Sequence, residues 1–238
     1  MRINRFLVAI SAACAMASTP SVALAQLWTN WDGAISCNQQ VVGSLAAATV
    51  TYSGGFNAVQ RDTGSDVCNS IGQLGGQGDN YWQRGGFNSA AYSLIPSNLS
   101  FIQFSAAATG TISFSQAVVD PWIALISVGN PDGETTITFG SPFTIVSRNN
   151  TLESLAYWDA TPDVDSYVAG NSIVSSEFSG LIQFKGTFTE LSVGTVGEYW
   201  HGFTVGTPSL AVPEPSSFAL VAAGLASLVV ISRRRQNR

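Results

Sequence analysis

The chain has 238 residues, with ten basic and fifteen acidic side chains, a single histidine, 45% hydrophobic residues and only 11% charged ones. A formal net charge of −5 and the lack of any basic patch outside the termini exclude a nucleic-acid-binding protein, because phosphates would be repelled. The length allows one domain of ordinary size with a substantial core, flanked by short terminal segments.

In chain order, Arg2 and Arg5 precede an apolar, Ala-rich stretch from Phe6 to Ala17. Ala23, Leu24 and Ala25 then supply the small residues of a signal peptidase site. Residues 1–25 are therefore expected to form a signal helix, removed by signal peptidase so that the mature chain begins at Gln26. A lipoprotein reading would modify Cys14, but Ser11 stands where that signal wants a large aliphatic residue. Between the termini, residues 26–210 read as one exported body. It retains Arg61, Arg84, Arg148 and Lys185 against fourteen acids, a net charge of −10.

Cys37 and Cys68 are the two cysteines left in that body, and in an oxidising compartment they are expected to form a disulfide. A zinc site would need four ligands at recognisable spacing, which two cysteines and His201 do not make. The body's pattern is strand throughout. Thr111 to Ser115, Thr136 to Phe139 and Leu181 to Lys185 alternate polar and apolar residues, and Thr187 to Thr189 continues the last of these. Pro121 to Val128 and Glu134 to Phe139 flank Asn130-Pro131-Asp132-Gly133, a turn sequence that predicts a hairpin between them. Further strands are expected at Ala47 to Tyr52, Leu99 to Phe104, Phe143 to Ser147, Ser154 to Trp158, Ser172 to Ser176 and Tyr199 to Val205. Gly54 to Ala91, rich in glycine, reads as long loops tied down by Cys68. Short strands at such spacing predict an all-β fold, an antiparallel β-sandwich of jelly-roll type.

Catalytic motifs are missing: there is no Gly-x-Ser-x-Gly elbow, no His-Glu-x-x-His and no phosphate loop followed by Lys. His201 lies in an apolar run and reads as a core residue, so no catalytic residues are assigned and the body is expected not to be an enzyme. Asp159, Asp163 and Asp165 crowd one loop, where hard oxygens at alternate positions suit calcium and a solvated acidic turn is the competing reading. No other cofactor is implied. Of the six tryptophans, Trp122 and Trp200 sit inside strand patterns and read as core. Trp82, in the Gly-rich segment, and Trp158, before the Asp loop, are read first as core packing and, of the six, are the candidates for stacking on a sugar. An ice-binding face would need repeated Thr-x-Thr rungs, and Thr136-Ile137-Thr138 and Thr187-Phe188-Thr189 show no repeat period.

Residues 211–238 are the most informative segment. Val212-Pro213-Glu214-Pro215 is followed by an apolar run from Phe218 to Ile231 and by Arg233-Arg234-Arg235. Roughly fourteen apolar residues make a helix of about 21 Å, short of the ~30 Å hydrocarbon core, so this transmembrane segment is marginal. The arginines hold their end in the cytoplasm and place the body across the inner membrane. Pro-x-Pro keeps the preceding backbone extended and open to a processing enzyme.

In this order of elements the tail resembles the PEP-CTERM sorting tail of exported proteins from Gram-negative, matrix-forming bacteria. The resemblance implies that a membrane-embedded exosortase recognises Pro213, Glu214 and Pro215, cleaves nearby, and releases or re-anchors the body outside the cell. The stretch from Gly110 to Val205 also resembles a domain that recurs ahead of such tails. Its landmarks are Phe114-Ser115-Gln116, Val118-Val119-Asp120-Pro121, Pro142 to Val146, Gly186-Thr187-Phe188 and Trp200 to Val205; this resemblance implies a β-sandwich and supplies no catalytic residue. The expected function is that of a non-catalytic surface or matrix protein, transiently anchored in the inner membrane. The alternative is a carbohydrate-binding module for the extracellular polysaccharide, aided by calcium.

Overall fold

A computed structural model of the chain describes residues 27–63, 66–68, 82, 96, 98, 100–104, 107–129, 133–148, 167–196, 200–207 and 209–210. The strands, in chain order, are β1 (Leu27–Trp28), β2 (Ile35–Ser36), β3 (Gln40–Leu45), β4 (Ala48–Gly54), β5 (Ala58–Gln60), β6 (Asp66–Val67), β7 (Phe101–Phe104), β8 (Ala108–Val119) and β9 (Trp122–Val128). They continue with β10 (Thr135–Phe139), β11 (Phe143–Arg148), β12 (Tyr167–Ala169), β13 (Ser172–Ser175), β14 (Phe178–Phe184), β15 (Thr187–Val196), β16 (His201–Thr207) and β17 (Ser209–Leu210). The fold is all-β. The first sheet has the order β11-β14-β9-β16-β7-β5-β6, with β1 on β16; the second has β12-β13-β10-β15-β8-β4-β3-β2, with β17 on β8. Every pairing is antiparallel.

The pattern of each strand follows its burial more than its sheet. Continuous apolar runs such as Trp122-Ile123-Ala124-Leu125-Ile126 are buried on both faces and form the centre of the first sheet. Alternating runs in the second sheet turn Val50, Tyr52, Ile137, Phe139, Leu191 and Val193 inward and their polar neighbours out, and β11 alternates at the edge of the first sheet. Leu181 to Phe184, read from the sequence as alternating, instead lies in β14 of the first sheet and is buried on both faces. A strand buried on both faces has no need of alternation, and one buried on a single face does. The core between the sheets is aromatic. Tyr52 of the second sheet meets Phe203 of the first edge-on at 5.5 Å, Phe139 meets Phe184 at 5.4 Å, and Phe104 stacks on Phe203 at 4.9 Å.

Two expectations of strand connection are overturned, and a third, of loops, is overturned in part. β9 and β10 do not pair as a hairpin: β9 lies between β14 and β16 in the first sheet, and β10 between β13 and β15 in the second. The chain passes from the first sheet to the second between β9 and β10, and residues 130–132 lie outside the described residues. Thr187 to Thr189 likewise does not continue β14, because the chain turns at Gly186 (φ +122°) and enters the second sheet as β15. In the expected loop region Gly54 to Ala91, β5 and β6 form short strands at the edge of the first sheet. The strand expected at Ser154 to Trp158, the signal helix and the C-terminal transmembrane helix lie outside the described residues.

The sheet changes at β8–β9 and β14–β15 are clasped to each other. Asp120 N–H donates to the Gly186 carbonyl at 2.7 Å, and Gly186 N–H donates to Asp120 Oδ1 at 2.8 Å. Lys185 Nζ reaches Asp120 Oδ2 at 3.1 Å. The Gly186 hydrogen bond, and after it the bond to Lys185, hold the Asp120 carboxyl below its ordinary pKa.

Candidate functional site

His201 opens β16 with its ring turned between the sheets, wholly buried. Its Nε2 is 2.7 Å from Thr195 Oγ1 of β15, and its ring lies 5.3 Å from that of Phe104. Loss of hydration pushes its pKa down to about 3, so the imidazole is neutral in the folded chain at neutral pH. A neutral imidazole shut inside the sandwich is a packing element that bridges the sheets, as its sequence context indicates.

The outer face of the first sheet carries a second apolar layer of Trp28, Ala58, Trp82, Phe101, Trp122, Ala124, Ile126, Leu181 and Trp200. Gly206 is paired with Trp28 on one side and Trp122 on the other, and the two indoles lean together at 6.3 Å. A Cβ on Gly206 would lie 2.6 Å from the Trp28 ring, so the close approach requires glycine there. Trp82 belongs to this layer: its indole is fully buried and meets Phe101 edge-on at 6.1 Å, as Trp200 does from another side. Of the two readings of Trp82, this burial favours core packing over a sugar contact, since a ring enclosed by its own chain has no free face on which a ligand can stack. Trp122 and Trp200 are core, as expected.

Cys37 and Cys68 form a disulfide with a Cα–Cα distance of 5.4 Å, closing the β2–β6 region across a sequence separation of 31. Among the described residues there is no group of three or more His, Cys, Asp or Glu able to hold a metal, and no helix long and apolar enough to cross a membrane. Trp158, Asp159, Asp163 and Asp165 lie outside the described residues. The same holds for Ala23, Ala25 and Gln26 at the signal cleavage site, for Val212, Pro213, Glu214 and Pro215, for Phe218 to Ile231, and for Arg233, Arg234 and Arg235.

One surface was not apparent from the sequence. On the outer face of the second sheet the register brings Ser172, Thr138, Gly194 and Thr109 side by side across β13, β10, β15 and β8. The neighbouring rows align Val174, Thr136 and Val196, and Ser192, Thr111 and Ser53. A groove of about 430 Å³ runs here, lined by Thr109, Thr136, Thr138, Ser192, Gly194 and Val196 among others. Thr138 Oγ1 and Ser172 Oγ are 2.7 Å apart. The sequence signal was Thr-x-Thr in β4, β8 and β10, but only the register shows that these rungs share a face.

Among known protein families, residues 211–235 match the family model described as the PEP-CTERM protein-sorting motif. Comparison with the curated proteins and with the solved structures found no match. The matched segment contains the Pro-Glu-Pro sequence, the apolar run and the three arginines, and it follows directly on the all-β body. The chain is thus a PEP-CTERM protein, an exported chain whose tail addresses it to an exosortase.

Proposed function

We propose that the β body is a non-catalytic surface or extracellular-matrix protein, held briefly at the inner membrane of a Gram-negative cell by its tail and then processed near Pro213 to Pro215. The observation that carries this reading is the sorting-motif match over residues 211–235. The acidic body suits a soluble exported domain, and the Cys37–Cys68 disulfide suits an oxidising compartment. The burial of His201 supports the non-catalytic assignment, because that imidazole is not placed to take a proton from a nucleophile at the surface.

Mass spectrometry of the protein recovered separately from the inner membrane and the extracellular matrix tests the proposal. The expected matrix form begins at Gln26 and ends near Pro213 to Pro215, and it disappears when the exosortase is deleted. A chain ending at Arg238 and found only in the inner membrane would show the tail to be a plain anchor.

A further inference from the structure

We infer that the groove centred on Gly194, on the outer face of the second sheet, is a binding site for a neutral polysaccharide. The inference rests on the reading of the body as displayed outside the cell. Its starting point is a glycine that the fold does not require. Gly194 lies within β15, where a glycine weakens a strand because it packs nothing and is costly to order. Its φ is not in the left-handed region, and an added Cβ would meet Thr109 Cγ2 at 3.6 Å and the Ala108 carbonyl oxygen at 3.8 Å, both ordinary contacts. Gly206 and Gly202 differ, since a Cβ there would strike the rings of Trp28 and Phe101. What the missing side chain of Gly194 does provide is the floor of the groove.

The walls match a sugar polymer. Thr109 and Thr138 flank Gly194 across the sheet and Ser192 lies beside it along β15, all three exposed. Each hydroxyl both donates and accepts, the same dual capacity that sugar hydroxyls present. In the adjacent row Thr136 and the 54% exposed Val196 line the groove, and the same row runs on past Val174 to the 51% exposed Tyr167 beyond the groove. This aliphatic and aromatic stretch of the face is suited to the apolar side of a pyranose ring further along a polymer. The groove volume falls within the usual range of small-ligand sites, roughly 300–1,000 Å³.

Charge decides the class of polymer. Across all nine strands of the second sheet Glu190 is the only charged residue, in a body whose acids outnumber its bases fourteen to four. With no cation to meet uronate, sulfate or phosphate groups, and a net negative body behind it, the face discriminates against acidic polymers. Ice is the other partner that a hydroxyl array can address. A planar lattice needs a flat sheet, however, and neighbouring strands twist by roughly 20–25° each, or about 60–75° from β13 to β8. A flexible chain can follow a twisted groove; a crystal plane cannot.

The test uses the full chain purified in mild detergent, incubated with microcrystalline cellulose, insoluble β-1,3-glucan or cross-linked dextran as neutral probes, and with alginate gel and ice as contrasts. Retention on at least one neutral polymer is expected, together with none on alginate. Gly194→Thr, which fills the groove floor, and Thr138→Val, which removes a wall hydroxyl at constant shape, should each weaken retention at least tenfold without lowering the unfolding midpoint. Thr138→Val alone decides the matter if Gly194→Thr does not fold. Absence of retention on every neutral polymer, retention unchanged in both variants, or retention only on alginate or ice would overturn the inference. Tail processing is read independently from the C-terminal mass, so a failure of binding and a failure of sorting are told apart.

Discussion

Lowering the pH from 7 to 4.5 should remove roughly 2–3 kcal/mol of stability through His201 alone. In the unfolded chain this histidine titrates near 6.5, whereas burial pushes its folded pKa down to about 3. Between those values the unfolded state binds a proton that the folded state does not, so stability is fully present above pH 6.5 and is lost as pH falls toward 3. Each unit well inside that window costs about 1.4 kcal/mol. The assay is denaturant unfolding of the wild type and of His201→Gln at several pH values from 7 to 4.5. Glutamine can still reach Thr195 but does not titrate, and every carboxylate contributes equally to both proteins. The difference in unfolding free energy between the two should therefore shift by roughly 2–3 kcal/mol toward His201→Gln as the pH is lowered. A difference that stays constant with pH would refute the assignment of His201 as a neutral, buried bridge between the sheets.

Reduction of the disulfide, or Cys37→Ser, should destabilise the body by roughly 3–4 kcal/mol on the chain-entropy argument for the loop it closes, measured as a shift in denaturant midpoint with and without reductant. Trp82→Ala should cost about 3–5 kcal/mol as a core truncation, read by thermal unfolding; an unchanged midpoint would place the indole at the surface. Gly206→Val should cost about 1–3 kcal/mol, because its Cβ must displace the Trp28 ring, whereas the Gly194→Thr variant in the same assay should not be destabilised.

Much of the strand content was legible because hydrophobic periodicity is local. The alternation of Thr111 to Ser115 and of Thr136 to Phe139, and the apolar run from Trp122 to Val128, all appear as strands. Pairing was less legible. Asn130 to Gly133 carries a hairpin signature, yet the flanking strands belong to different sheets, because β9 is buried on both faces and β10 on one. Trp82 shows the same limit: a tryptophan among glycines looks exposed until the ring it packs on, Phe101, is seen across a separation that no local pattern spans.

The sorting address is a linear signal. The order of Pro-Glu-Pro, apolar run and arginines over residues 211–235 acts through its succession along the chain, so the sequence alone determined it, along with the all-β class and the disulfide partners. The groove around Gly194 has no linear form. Thr109, Thr138 and Gly194 come from three strands and meet only because antiparallel register places them in one row, while the inward partners of those strands are held against the first sheet. That juxtaposition, and the enclosure of His201 and Trp82, were decided by packing between distant segments, which sets what each side chain faces once its strand is formed.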